Sequence, residues 1–434
     1  MTLALMSLTC SAAAEPSVGV ERRQRAASAC HDGIVLLHAS SVLDLAADGF
    51  RQDPYFYYFT GLGNIVGAVL AIDGKSGESW LFLPSKPPFL KRGLQPEVQP
   101  GVEASQRLGI EHVVDWFEME SFFSARAAQQ TVLYFADAGL EFDELPPNLL
   151  SPKSPTAPIW LQPILQKWPT FEAKDASTRI QTLMEVQNAD EIVALRTAAK
   201  ATVAALMAGL RAIRSNVSQR SVEAVVESTC WKEGGRGTAF WPWAMAGENA
   251  VFPRPFFSMV RYDHLNRTML SGELVRLDVG CEWDHYTGDL GRTVPVSGHY
   301  ADDQRETWNI FVAAYLSGAK ALREGVTVDQ VFEAWRKELV NHRASAKSQL
   351  AQHAIDSWAD RKNIPFWQVH TTNLVAAYPS GPLKAGTTIN FEPIASVDGQ
   401  GFFLEDMYLI TKDGAERLTP GVPSSAEDIE AAMR

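Results

Sequence analysis

The sequence predicts an α+β protein of two domains. Its 434 residues exceed what one core usually organises, short apolar runs alternate with turn residues in the first third, and long amphipathic helices and strand hairpins share the rest. A composition of 46% hydrophobic and 21% charged residues excludes a disordered or fibrous chain. The 39 basic and 51 acidic residues give a net charge of -12, the wrong sign for a phosphate-backbone binder, so nucleic acid is not an expected partner. No Gly-rich loop precedes a helix and no run of about eighteen apolar residues occurs, so neither nucleotide binding nor a transmembrane segment is expected. Four scattered cysteines (Cys10, Cys30, Cys230, Cys281) suggest neither a disulfide scaffold nor a cysteine zinc site, and Cys281 reads as a small buried residue.

Residues 1–14 combine a short apolar stretch with an Ala-rich site before Glu15, the make-up of a signal peptide without its positive n-region; export to a secreted or periplasmic location is expected. From Ile34 to Pro84 the runs GIVLLHA, GAVLAI and SWLFLP are separated by Gly, Asp and Ser, the pattern of strands closed by turns. Six prolines between Leu145 and Pro169 argue against any regular element there and mark a linker or surface excursion. The N-terminal domain is therefore assigned to 15–170 and the C-terminal domain to 171–434. In the latter, Asn188 and Glu191 open an amphipathic helix, a second starts near Ser218, and two more follow, the last capped by Thr327 with Gln330.

Two strand hairpins carry paired acids. A turn centred on Trp283 and Asp284 would set Asp278 opposite Asp289, and the Asp398-Gly399 turn sets Glu392 opposite Glu405. The apolar neighbours Leu277, Val279, Phe391 and Leu404 predict strands at least half buried. Burial and repulsion both raise carboxylate pKa values, so four such groups together need compensating cations or shared protons, and oxygen ligands suit Mn²⁺, Mg²⁺ or Ca²⁺. The plainer alternative pairs each acid with a nearby base, such as Arg292, or leaves it on a solvated face.

At these residues the chain resembles the aminopeptidase P, prolidase and creatinase family. The marks are FRQDPYFYYFTGL (Phe50 to Leu62), Asp-x-Gly at Asp278, Asp-x-x-Arg-Thr at Asp289, Glu-Pro at Glu392 and Glu-Asp at Glu405. The resemblance implies a creatinase-like α/β N-terminal domain followed by a pita-bread catalytic domain. It further implies that Asp278, Asp289, Glu392 and Glu405 match four of five protein ligands of a dinuclear site, usually of two Mn. The implied activity is release of the N-terminal residue from Xaa-Pro peptides, or cleavage of a small amide, by a metal-bound hydroxide, with Glu392 shuttling the proton.

Departures cluster at the histidines. Counting back without gaps from Glu392 puts His370 at the family's second, substrate-facing histidine and Asn363 at its histidine ligand, where an amide oxygen would hold metal more weakly. Upstream, Arg254 or Arg261, with His264 nearby, stands where the family has a substrate-binding histidine, and an arginine there suits an anionic group. Phe403 replaces a usual arginine. These departures leave two alternatives, a pita-bread protein that has become a binding module, and a related C–N hydrolase for an anionic small molecule. The aromatic loop with Trp241, Trp243, Phe252, Phe256 and Phe257 would wall a pocket or form a homo-oligomer contact.

Overall fold

A computed structural model of the chain describes residues 16–41, 50–84, 98–129, 131–137, 157–252, 254, 266–364 and 366–434. The signal-like segment 1–14, Arg261 and His264 lie outside them. Two compact units divide the chain, Met1–Met184 and Glu185–Arg434.

The first unit is built on a six-stranded mixed sheet of order β4-β3-β2-β1-β5-β6. In chain order its elements are α1 (Pro16–Ala29), β1 (Gly33–His38), α2 (Pro54–Thr60), β2 (Val69–Asp73), β3 (Ser79–Leu83), α3 (Val102–Leu108), β4 (His112–Asp115), α4 (Glu118–Ala127), β5 (Val132–Phe135), α5 (Gln162–Lys167), β6 (Glu172–Asp175) and α6 (Ser177–Met184). The FRQDPYFYYFTGL stretch becomes α2 for local reasons. The Asp53 carboxylate accepts the Phe56 N–H at 2.7 Å, Pro54 pre-sets the first turn, and Gly61 ends the helix at φ 69°. Leu36, Phe82, Phe123 and Leu133 fill the core.

The unit extends beyond residue 170 because β6 runs parallel to β5, with Val132 opposite Glu172, and so belongs to this sheet. Nor is the whole proline-rich stretch irregular. Its first part lies outside the described residues, but Gln162–Lys167 is helical, since Pro163 falls in the first turn, where a missing N–H costs nothing.

The second unit opens with α7 (Ala189–Ala212), where the Asn188 side chain accepts the Glu191 N–H and the Glu191 carboxylate accepts the Asn188 N–H, and continues with α8 (Gln219–Lys232), capped by Ser218. By length and composition α7 is apolar enough to cross a membrane, but Ala201, Ala205, Leu206 and Leu210 are buried in the core of this unit. Strands β7 (Gly237–Thr238), β8 (Trp243–Ala246), β9 (Leu274–Val279), β10 (Cys281–Trp283), β11 (Tyr286–Thr287), β12 (Leu290–Pro295), β13 (Phe366–Thr371), β14 (Thr388–Val397), β15 (Gln400–Ile410) and β16 (Ala415–Arg417) follow, interrupted by helices at Asp302–Ala321, Val328–Asn341 and Gln349–Trp358. A seven-stranded sheet of order β13-β14-β15-β12-β9-β8, with β16 on β15, forms the floor of the site. Leu277, Val279, Phe391 and Leu404 are fully buried in its core.

Both hairpin turns form, with different outcomes. Asp398 and Gly399 take positive φ (46° and 75°), and the pairs Phe391–Asp406 and Ile394–Phe403 bracket Glu392 and Glu405 in the expected register. The other turn is one residue later than expected. Asp284 and His285 carry the positive φ values (48° and 71°), so Asp278 lies opposite Gly291 and Asp289 is diagonal to it, just before β12.

Candidate metal centre

The acids arrive from separate strands onto one face of this sheet. Asp278 comes from β9, Asp289 from the entry to β12, Glu392 from β14 and Glu405 from β15. His370 on β13 sits opposite Asn390, two residues from Glu392, and side chains two apart on a strand share a face. Its Nε2 is 3.6 Å from Asp289 Oδ2, 3.6 Å from Glu405 Oε1 and 3.9 Å from Glu392 Oε1, while Nδ1 lies 3.1 Å from the Thr371 carbonyl oxygen. A ring nitrogen turned to a backbone carbonyl, with the other turned to the acids, is the geometry of an oriented metal-binding imidazole. Two sets of three, Asp289–His370–Glu405 and Asp278–Glu392–Glu405, each offer ligand atoms within 4.8 Å of one another and share Glu405.

Asn363 does not take part. It is exposed in the short 3-10 turn Arg361–Asn363, and His370 lies four strand steps beyond the start of β13, about 13 Å at 3.3 Å per residue. The ungapped count failed because it assumed a connection of family length between histidine and Glu392. Loops are where chains shorten, and a connection seven residues shorter brings His370 itself to the acids. Among the described residues, His370 is the histidine that joins these acids. Arg254 is exposed and donates to Glu248. Arg292 is fully buried on the opposite face of the sheet, where it donates to the Glu405 carbonyl oxygen at 2.6 Å and to Asp406, so it pairs with none of the four acids.

The electrostatics are those of a crowded acid cluster. Burial, followed by the Glu405, Asp278 and Glu392 charges, pushes Asp289 well above the ordinary range. Burial also lifts Asp278, to about 6, against the pull of Arg276 and with the push of Glu392. Glu405 is raised by burial although His370 and Asn390 bond to it. Burial alone would lower His370, but its hydrogen bond to Glu405 and the charges of Glu392 and Glu405 raise it to about 9. Glu405 Oε2 is buried with no hydrogen-bond donor among the described residues. An orphaned carboxylate oxygen among three further acids fits a bound cation.

Three contributors went unread in the sequence. Asn390 donates through Nδ2 to the Asp289 carbonyl oxygen (2.9 Å) and to Glu405 Oε1 (2.7 Å), and accepts from Thr372. Arg276 donates to Asp278 Oδ2 at 2.8 Å. Each stands two residues from an acid on its own strand, a spacing that would have exposed both. The third, a Cys230–Cys281 disulfide joining α8 to the strand after Asp278, spans 51 residues and leaves no local signal. Cys30 is free and buried.

Comparison with known proteins decides the family. Residues 193–412, just over half of the chain, match the model of metallopeptidase family M24, and residues 20–134 match the aminopeptidase P N-terminal domain. The chain belongs to metallopeptidase family M24. Among curated relatives, a Xaa-Pro aminopeptidase of Haemophilus influenzae is 24% identical over 88% of this chain and 88% of its own. The Escherichia coli Xaa-Pro aminopeptidase is 23% identical over 92% and 93%, and a Pyrococcus furiosus Xaa-Pro dipeptidase 23% over 84% and 90%. Two solved structures share the two-domain fold. Zinc-substituted E. coli aminopeptidase P in complex with product superposes with a TM-score of 0.74 at 21% identity, over 97% of this chain and 99% of that one. Yersinia pestis proline aminopeptidase P II gives 0.73 at 22%, over 96% and 99%.

Proposed function

We propose that this M24 chain is a metal-dependent Xaa-Pro aminopeptidase in which Asp278, Asp289, His370, Glu392 and Glu405 hold two divalent cations. The observation that carries the reading is the pair of ligand sets sharing Glu405, whose Oε2 has no donor of its own among the described residues. Two doubly charged cations would balance four carboxylates, and the oxygen-rich set with one imidazole suits manganese. When bound, the cations supply Lewis-acid polarisation of the scissile carbonyl and acidify water toward neutrality.

The chain's own groups do the rest. Glu392 accepts the proton of the attacking water at its carboxylate and returns it to the departing proline nitrogen. Asn390 and the Thr371 carbonyl hold Glu405 and His370 in place from the side away from the substrate. Thr371 bridges to Ala377, and the next residue in each direction sets Tyr378 beside His370 on the outer edge of β13. Tyr378 is 69% exposed and its hydroxyl is raised by burial of part of the ring and by the Glu392 charge. It offers a phenol donor beside His370.

The non-catalytic binding module rested on loss of a histidine ligand and of the upstream histidine; His370 beside the acids speaks against the first ground. Purified protein loaded with Mn²⁺ is expected to release the first residue of Xaa-Pro peptides, read by mass spectrometry, with two ions per chain by elemental analysis. Loaded protein that leaves Xaa-Pro peptides intact defeats the peptidase reading. We also propose export, supported by the composition of residues 1–14 and by the Cys230–Cys281 bond, since such bonds persist in oxidising compartments. Cell fractionation that finds the protein with the cytosolic fraction refutes it.

A further inference from the structure

Arg276 occupies an unusual place for a cation. Only 5% of it is exposed, yet its one hydrogen bond to an acid goes to Asp278, itself a member of the cluster, and its Nε has no partner among the described residues. A buried guanidinium so sparsely bonded is costly in a core, and here the cost is offset by aromatic faces. The Phe403 ring lies 4.3 Å from the guanidinium carbon and the Trp243 ring 5.7 Å. The sheet register explains the nest. Asp278 lies between Trp243 and Gly291, Arg276 lies between Met245 and Thr293, and the Phe403 N–H donates to Thr293 Oγ1. Gly291 is what lets the ring in, because a Cβ there would sit 1.8 Å from Phe403. Phe403 is also the position at which the family resemblance leads one to expect arginine.

We propose that Arg276 is a positioning residue of the metal centre, which holds Asp278 by Oδ2 so that Oδ1 faces the cations, and that it supplies from β9 the guanidinium that position 403 on β15 has given up. The inference rests on the metal-centre reading above. It differs in sign from a simpler role. A counter-ion that merely calmed four crowded acids would compete with metal, and its removal would tighten metal binding; a group that orients a ligand weakens metal binding when lost, by about 10- to 100-fold for such outer partners.

Titration calorimetry with Mn²⁺ on the full chain separates these outcomes, with thermal melting to show that each variant is folded. Arg276→Leu is expected to lose about 10- to 100-fold in affinity at one of the two sites, with kcat falling in parallel and KM little changed. The exchange variant Arg276→Leu/Phe403→Arg is expected to regain most of the loss. Unchanged or tighter Mn²⁺ binding by Arg276→Leu overturns the proposal, and so does a folded exchange variant as weak as the single one. If Arg276→Leu does not fold, Arg276→Lys decides, because lysine keeps the charge but not the stacked, planar hold; about tenfold weaker binding supports positioning, and wild-type affinity refutes it. Wild-type protein that takes up no Mn²⁺ at all would instead sink the metal-centre reading itself.

Discussion

Glu405 and Asp406 are neighbours on β15 and face opposite sides of the same sheet, and both are essentially sealed from solvent. Asp406 is satisfied: Arg292 donates to both its oxygens at 3.0 and 3.2 Å, and Arg417 (2.7 Å) and Thr419 (2.8 Å) donate to Oδ1. Glu405 faces three other acids, one oxygen bonded by Asn390 and near His370 (3.6 Å), the other bonded by nothing among the described residues. Burial is equal on the two faces, so burial alone does not mark a functional acid. What separates them is whether the protein itself supplies the opposing charge. Where it does, the acid is structural; where it withholds it, a place is kept for a cation from solution.

The largest effects should therefore split by face. Glu405→Gln is expected to lower kcat/KM by about a thousandfold, several kcal/mol at 1.36 kcal/mol per decade, with loss of bound Mn²⁺, while the metal-free protein melts at a higher temperature because one buried charge is gone. Asp406→Asn is expected to do the reverse. It leaves Arg292 and Arg417 short of their partner and should cost about 3–5 kcal/mol in urea unfolding, with the Mn²⁺ stoichiometry of the folded fraction unchanged. A Glu405→Gln protein that is destabilised without metal would break the contrast.

How much of this contrast was visible in the sequence follows from how local each cause is. The Asp398-Gly399 turn fixes its own register within a few residues, so the opposition of Glu392 and Glu405 was legible, as were the caps at Asn188, Ser218 and Thr327. The Asp284-His285 turn was misplaced by one residue because several successive residues there could turn, and a shift of one in the turn moves the pairing by two. His370 was identified as important but given the wrong neighbour, since the length of a loop cannot be counted from a residue on its far side. Arg292 was legible only as a base near an acid. Which face it serves depends on the parity of its strand position relative to Asp289 and on Leu404 lying opposite it, a long-range fact.

A smaller effect should come from Asn390, which connects the Asp289 backbone to the Glu405 side chain without belonging to the ligand set. Asn390→Ala is expected to weaken Mn²⁺ binding by about tenfold and to cost about 1–3 kcal/mol of stability from the unpaired groups it leaves. Calorimetry and urea unfolding read the two separately. Intact Mn²⁺ affinity would mean that Glu405 needs no help from its own face.

The subtlest prediction concerns the slope of stability with pH. On the site face Asp278 has its folded pKa raised to about 6 from an ordinary 3.8, and Asp289 is raised well above 3.8. A raised acid binds its proton more tightly folded than unfolded, so its contribution is fully present below about pH 4 and is lost as pH climbs through 6. His370, raised to about 9 from 6.5, acts with the same sign at higher pH, its contribution complete below 6.5 and gone above 9. The metal-free protein should therefore melt at progressively lower temperature from pH 4 to 9. Mn²⁺ must displace these same protons, so the gap between loaded and metal-free melting temperatures should widen over the interval. Glu405→Gln should flatten the metal-free slope, because the charge that lifts both Asp289 and His370 is gone, whereas Asp406→Asn should lower the whole curve and leave its slope as it was. A gap that stays constant with pH would show that the acids are already ionised without metal, and the difference between the two faces of β15 would then have some other origin than withheld charge.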